Sequence, residues 1–227
     1  MENAPFLHYG EQQQLLLHFA QIYAMLNPRG DDMKALCELP EGYQEICSID
    51  LEKNKKIALL VNFLAVLIAV AMIVPMHFYI PITKLFDMSQ GMAAYFLRFG
   101  AFLVFMILYM VLHELVHGVT MKYYGTKKIK YGFTGLYAFA GSDDYYDKRS
   151  YITIALAPIV VFAIVFAIIN VIVPVEWFWI VYMLQVINIS GGAGDLFVTV
   201  KFSKLPKDIL IRDYGVGMTV YSKSVYK

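Results

Sequence analysis

Two histidines and a glutamate stand in the stretch VLHELVHGV, residues 111 to 119, at the end of an apolar run that begins at Phe99. On a helix, residues four apart share a face and lie about 6 Å apart along the axis, so His113 and His117 can turn ring nitrogens toward one ion. Glu114 is rotated by about 100° from His113. That offset puts its carboxylate beside such an ion, in reach of a water there. The spacing is the H-E-x-x-H of zinc hydrolases, two imidazole ligands and a general base. A catalytic zinc takes a third protein ligand and keeps one position open.

The remaining histidines are poor candidates for that ligand: His8 and His18 fall in the polar N-terminal segment, and His77 ends a different apolar run. Carboxylates remain. His117 and His113 precede Lys122 by five and nine residues, a depth of roughly 7 to 13 Å at helical rise. Asp195 precedes Lys201 by six, a depth of about 9 Å. It is also the one carboxylate besides Glu114 inside any long apolar run. Asp143, Asp144 and Asp147 of GSDDYYDK compete with it, because a loop can fold back to a metal; their ordinary reading is a hydrated turn.

The elements that must position these groups are membrane spans. The 227 residues are 59% hydrophobic and only 16% charged, with a formal net charge of +1. An ordinary soluble domain has about a quarter of its residues charged, and a balanced charge offers nothing to nucleic acid. Crossing a bilayer takes about 20 apolar residues, and four stretches qualify: 57 to 79, 99 to 121, 152 to 173 with Pro158 inside, and 177 to 200. Ionisable groups are expensive in such spans and usually serve a function there. Lysine and arginine number 5, 2, 6, 0 and 6 in the successive segments outside the spans. By the positive-inside rule both termini are cytoplasmic.

The expected fold class is therefore an all-α polytopic membrane protein of four transmembrane helices, located in a prokaryotic cell membrane. Residues 1–56 read as a cytosolic or interfacial layer, 57–200 as the transmembrane core and 201–227 as a cytosolic tail. Leu15, Phe19, Tyr23 and Leu26 mark one face of an amphipathic helix in the first of these. No cleavable leader is expected, since the first long apolar run starts only at Ile57. Cys37 and Cys47 are expected to stay reduced. Residues 128 to 142, KIKYGFTGLYAFAGS, read as a hairpin or re-entrant loop after the second span, near the metal. Its edge could hold an extended substrate by strand addition.

With HELVH near one membrane face and an aspartate after NISGGAG two spans later, the chain resembles the site-2 type of intramembrane zinc metalloprotease. Within that group it is most similar to the small zincin peptidase family. The resemblance covers roughly residues 99 to 215. It implies Zn2+ held by His113, His117 and Asp195, water activation by Glu114, an asparagine that orients substrate matched by Asn188, and a membrane protein or peptide as substrate. Site-2 proteases usually carry an NPxP-like run and a DG at the aspartate; NISGGAGDLF has neither. The departure bears on substrate geometry more than on metal binding.

The leading expectation is a zinc-dependent intramembrane or membrane-proximal endopeptidase. A second reading is a non-catalytic membrane protein with a structural metal site or a partner-binding role. The presence of Glu114 favours the enzyme, because a structural site prefers four closed ligands and has no use for a base. A metal transporter would want polar groups along the whole depth of the membrane, whereas here they cluster on one side.

Overall fold

Four stretches of the chain are helical over lengths that match the apolar runs. Residues 34–50, 52–135 and 138–223 are described by the structure, a computed structural model; the expected amphipathic helix around Leu15 to Leu26 lies outside them. Helix α1 (Lys55–Tyr79) starts where the Asn54 side chain accepts from the Ile57 N–H at 3.1 Å, satisfying a donor of its first turn. Helix α2 (Met92–Tyr123) is 32 residues long and is closed by Gly125 at φ +96, a conformation that favours glycine just past a helix end. Asp147 caps α3 (Lys148–Ile172) by accepting from the Ser150 N–H. Helices α4 (Val175–Gly191) and α5 (Ala193–Ser203) are separated by Gly192 alone. Among the described residues, four helical stretches, with α4 and α5 taken together as one, are long and apolar enough to cross a membrane.

The break at Gly192 is small. Its N–H still bonds to the Asn188 carbonyl, and the Leu196 N–H bonds back to Gly192. A Cβ at position 192 would stand 2.6 Å from the Ile159 side chain, so glycine here brings α4 and α5 close against α3. Within the NISGGAG run Gly192 therefore serves helix packing, while Gly191 and Gly194 border open space, and the helix is interrupted without being unwound.

The all-α expectation is corrected by six antiparallel strands among the described residues. Strands β2 (Lys130–Phe133) and β3 (Ala138–Gly141) pair as the hairpin expected after the second apolar helix, with Tyr131 opposite Ala140. Strands β1 (Gln44–Asp50), β4 (Tyr145–Asp147), β5 (Leu210–Asp213) and β6 (Gly217–Ser222) form a separate sheet in the order β1-β6-β5-β4. The segment expected to be an N-terminal layer thus pairs with the stretch expected to be a tail, Ile49 opposite Met218 and Ser48 opposite Thr219. The sheet buries Ile49, Tyr146, Ile211 and Val220 against Met121, Tyr151, Ile154 and Phe202 of the helices. Burying such side chains contributes about 1.5–3 kcal/mol each, so this core fixes α2, α3 and α5 at the end that carries the histidines. A second cluster, Tyr109, Phe162, Phe166, Val181 and Leu184, holds α2, α3 and α4 together farther along.

Candidate metal centre

His113 and His117 project from one face of α2, both buried, with ring centroids 5.0 Å apart. Asp195, in the first turn of α5, faces them: its Oδ2 lies 3.7 Å from His113 Nε2 and its Oδ1 lies 3.8 Å from His117 Nε2. Ligand atoms from all three lie within 4.8 Å of one another, and no other such group occurs among the described residues.

Whether these side chains fit a metal can be read from their hydrogen bonds. The Nδ1 of His117 lies 2.9 Å from the Ile154 carbonyl oxygen. A carbonyl only accepts, so Nδ1 carries a proton, and in the neutral imidazole that ligates a metal Nε2 presents a lone pair toward a carboxylate. Two acceptors facing each other beyond hydrogen-bond range are at odds with one another; a cation between them satisfies both. Two ligands on a tetrahedral zinc with bonds near 2.0–2.2 Å lie roughly 3.4 Å apart, so the two imidazole–carboxylate separations need close by only a few tenths of an ångström. The donor set fits a zinc that retains an open position.

The Ile154 carbonyl is available for a reason visible in the chain. In an α-helix it would accept from the N–H of residue 158, but that residue is Pro158, inside α3 and fully buried, and proline has no N–H. The proline leaves one backbone acceptor open on α3, and His117 takes it.

Glu114 borders the same cavity, of about 170 Å³, together with Ala138, Phe139, Ala140, Gly194 and Asp213. The Ala140 N–H of β3 donates to its carboxylate, so the hairpin lies over the site and orients the group expected to act as base. The hairpin is held from both sides. Tyr131 stands against Gly118, which follows His117, and Phe139 stands against Gly215 of the β5–β6 loop, at φ +101; a larger residue at either position would displace it.

Two of the competing aspartates, Asp143 and Asp147, are engaged elsewhere. Asp143 accepts from Lys130 Nζ at 2.6 Å and Arg212 Nη2 at 2.8 Å, and these cations hold its carboxyl below the usual range. Asp147 caps α3. The Asp144 N–H is tied to Ser142 Oγ, and its carboxylate is not in the metal-ligand group. His77 accepts from the Ile82 N–H, while His8 and His18 lie outside the described residues. Asn188 is fully buried, its Nδ2 donating to the Ile159 carbonyl and its Oδ1 accepting from the Tyr109 hydroxyl.

Sequence reasoning overlooked Tyr109 and Asp213. Tyr109 bonds His113 and was discoverable as the earlier member of the series 109, 113, 117, one helical face at steps of four. Asp213 reaches the cavity only through the pairing of β5 with β4 and β6, which no local pattern announces.

Residues 106–210 match the model of the family described as "Putative zincin peptidase". The match supports a metallopeptidase, and the zincin family implies zinc. The chain is 31% identical over 123 residues to an uncharacterized 24.7 kDa protein in the gap 5' region of Pyrococcus woesei, covering 50% of this chain and 51% of that protein. It thus spans about half the length of the curated relative it matches. No solved structure matches.

Proposed function

We propose that this chain is a membrane-embedded, zinc-dependent endopeptidase that cuts peptide bonds of membrane-associated substrates. The observation that carries the reading is the convergence of His113, His117 and Asp195 on one point with Glu114 beside it.

The membrane reading is supported by what the helices leave outside. Leu59, Phe63, Leu67 and Val74 of α1 and Val104, Ile107 and Val111 of α2 are exposed. A helix apolar on its outward faces as well as its inward ones suits lipid and not water. In this reading both termini are cytoplasmic, and the metal centre sits near the inner surface beside Lys122, Lys148 and Lys201.

His113, His117 and Asp195 would hold the zinc, which when bound supplies Lewis acidity for the scissile carbonyl and lowers the pKa of a coordinated water toward 7. Glu114, oriented by the Ala140 N–H, takes the proton from water and later passes it to the leaving amine. Such acid–base help contributes about 10²–10⁴ in rate. An extended substrate lies along the hairpin, whose Ala138 and Ala140 line the cavity with side chains small enough to admit a second backbone beside them.

The experiment is cleavage of a membrane-tethered peptide reporter by the purified full chain in vesicles, beside Glu114→Gln. Wild type should cut, a chelator should stop it, and Glu114→Gln should keep its zinc while losing about 10² or more of the rate. Undiminished cleavage by Glu114→Gln would defeat the proposal.

A further inference from the structure

Asn188 of α4 is fully buried. Its Nδ2 donates to the Ile159 carbonyl oxygen at 3.0 Å. Because that oxygen can only accept, the amide is fixed with Oδ1 turned the other way. The Tyr109 hydroxyl donates to this Oδ1 at 3.1 Å. A phenol has one hydrogen, and it is used there. Toward His113, whose Nδ1 lies 2.9 Å from the same hydroxyl oxygen, Tyr109 is therefore an acceptor. His113 therefore carries a proton on Nδ1, and in the neutral ring the Nε2 lone pair is on the side of Asp195. The Tyr109 ring is held in turn, edge-on to Phe162 at 5.2 Å and tilted against Phe166 at 5.7 Å.

We propose that Asn188 and Tyr109 are positioning residues that lock His113 in its metal-ligating tautomer. The inference rests on the reading of His113, His117 and Asp195 as a metal site. Three hydrogen bonds, each with its direction dictated by the one before, run from the α3 backbone through α4 to α2 and end on the ligand. Remove the first and the Tyr109 proton can turn to His113 Nδ1, which permits the tautomer whose Nε2–H repels a metal. Remove the hydroxyl and the Nδ1–H loses its acceptor in a buried place.

The test is zinc affinity of the purified full chain in detergent, by competition with a chromophoric chelator, for wild type, Tyr109→Phe, Asn188→Ala, the double variant and His117→Ala. Loss of the partner of a ligating histidine typically weakens metal binding about 10–100-fold, and that is the change expected for Tyr109→Phe. Asn188→Ala should also weaken binding. The double variant should be no weaker than Tyr109→Phe, because the asparagine acts through the hydroxyl. A pair that merely supported the fold would lower the melting temperature of the zinc-free protein and leave zinc affinity in place. Should Tyr109→Phe not fold, Asn188→Ala carries the same comparison. Single variants within about twofold of wild type, far from the 10–100-fold scale, would overturn the relay alone if His117→Ala has lost its zinc. Wild type binding zinc no better than His117→Ala would overturn the metal site itself.

Discussion

The Ile154 carbonyl oxygen sits 2.9 Å from the Nδ1 of His117, and the N–H that would otherwise claim it is absent because residue 158 is proline. Proline in a helix interior costs about 3 kcal/mol, so Pro158→Ala should hold or raise the melting temperature. The new N–H competes with His117 for the carbonyl, and zinc affinity should fall several-fold, toward the roughly tenfold expected of a lost outer contact. Thermal melts and zinc competition on one preparation check both. Raised stability with unaltered affinity would show that the proline serves the helix and not the site.

The loop aspartates give the opposite expectation. Asp143 is exposed and paired with Lys130 and Arg212, and exposed pairs are worth about 0–1 kcal/mol. Asp143→Ala should keep its zinc and melt within a few degrees of wild type. Zinc loss in that variant would mean that the loop, and not α5, supplies the third ligand.

Gly215 at φ +101 packs on the Phe139 ring of the hairpin. Gly215→Ala combines a backbone conformation unfavourable to side chains with overlap on that ring, for about 1–3 kcal/mol. The melting temperature should drop and reporter cleavage with it, while zinc content stays. A variant with unchanged cleavage would free the hairpin from any part in substrate handling.

In the zinc-free protein burial pushes the Asp213 carboxyl up to about 6, against roughly 3.9 in an unfolded chain. Between about pH 4 and pH 6 the folded protein keeps a proton that the unfolded chain has released. This group's stabilising contribution is therefore full below about pH 4 and lost as pH rises through about 6, on the order of 2–3 kcal/mol in all. In Asp213→Asn that dependence disappears, so the stability of wild type relative to the variant should increase as pH falls from about 7 to 5. Melting curves across that interval decide it; a constant difference would contradict the assignment.

Much of the helical part is readable from composition. The expected spans 57 to 79 and 152 to 173 match α1 and α3 to within a few residues. The expected start at Phe99 misses the first turns of α2, which begins at Met92, because Arg98 looks like a boundary. In the fold Arg98 is buried, with its guanidinium bonded to Gln90 and the Asp87 carbonyl. The HELVH helix and Asp195 are legible because the chemistry depends on helical spacing and depth, both local quantities. The sheet is not, since Gln44–Asp50 and Gly217–Ser222 pair across most of the chain and neither shows strong alternation. Asn188 is legible as a polar residue of interest, but its role is set by Tyr109 and Ile159, each on another helix.

Zinc bound per chain in the purified protein tests the central claim most directly. Wild type should hold about one equivalent, and His117→Ala and Asp195→Ala close to none, since a three-ligand site does not survive loss of a ligand. Metal-free wild type, or Asp195→Ala that keeps its full equivalent, would contradict the account.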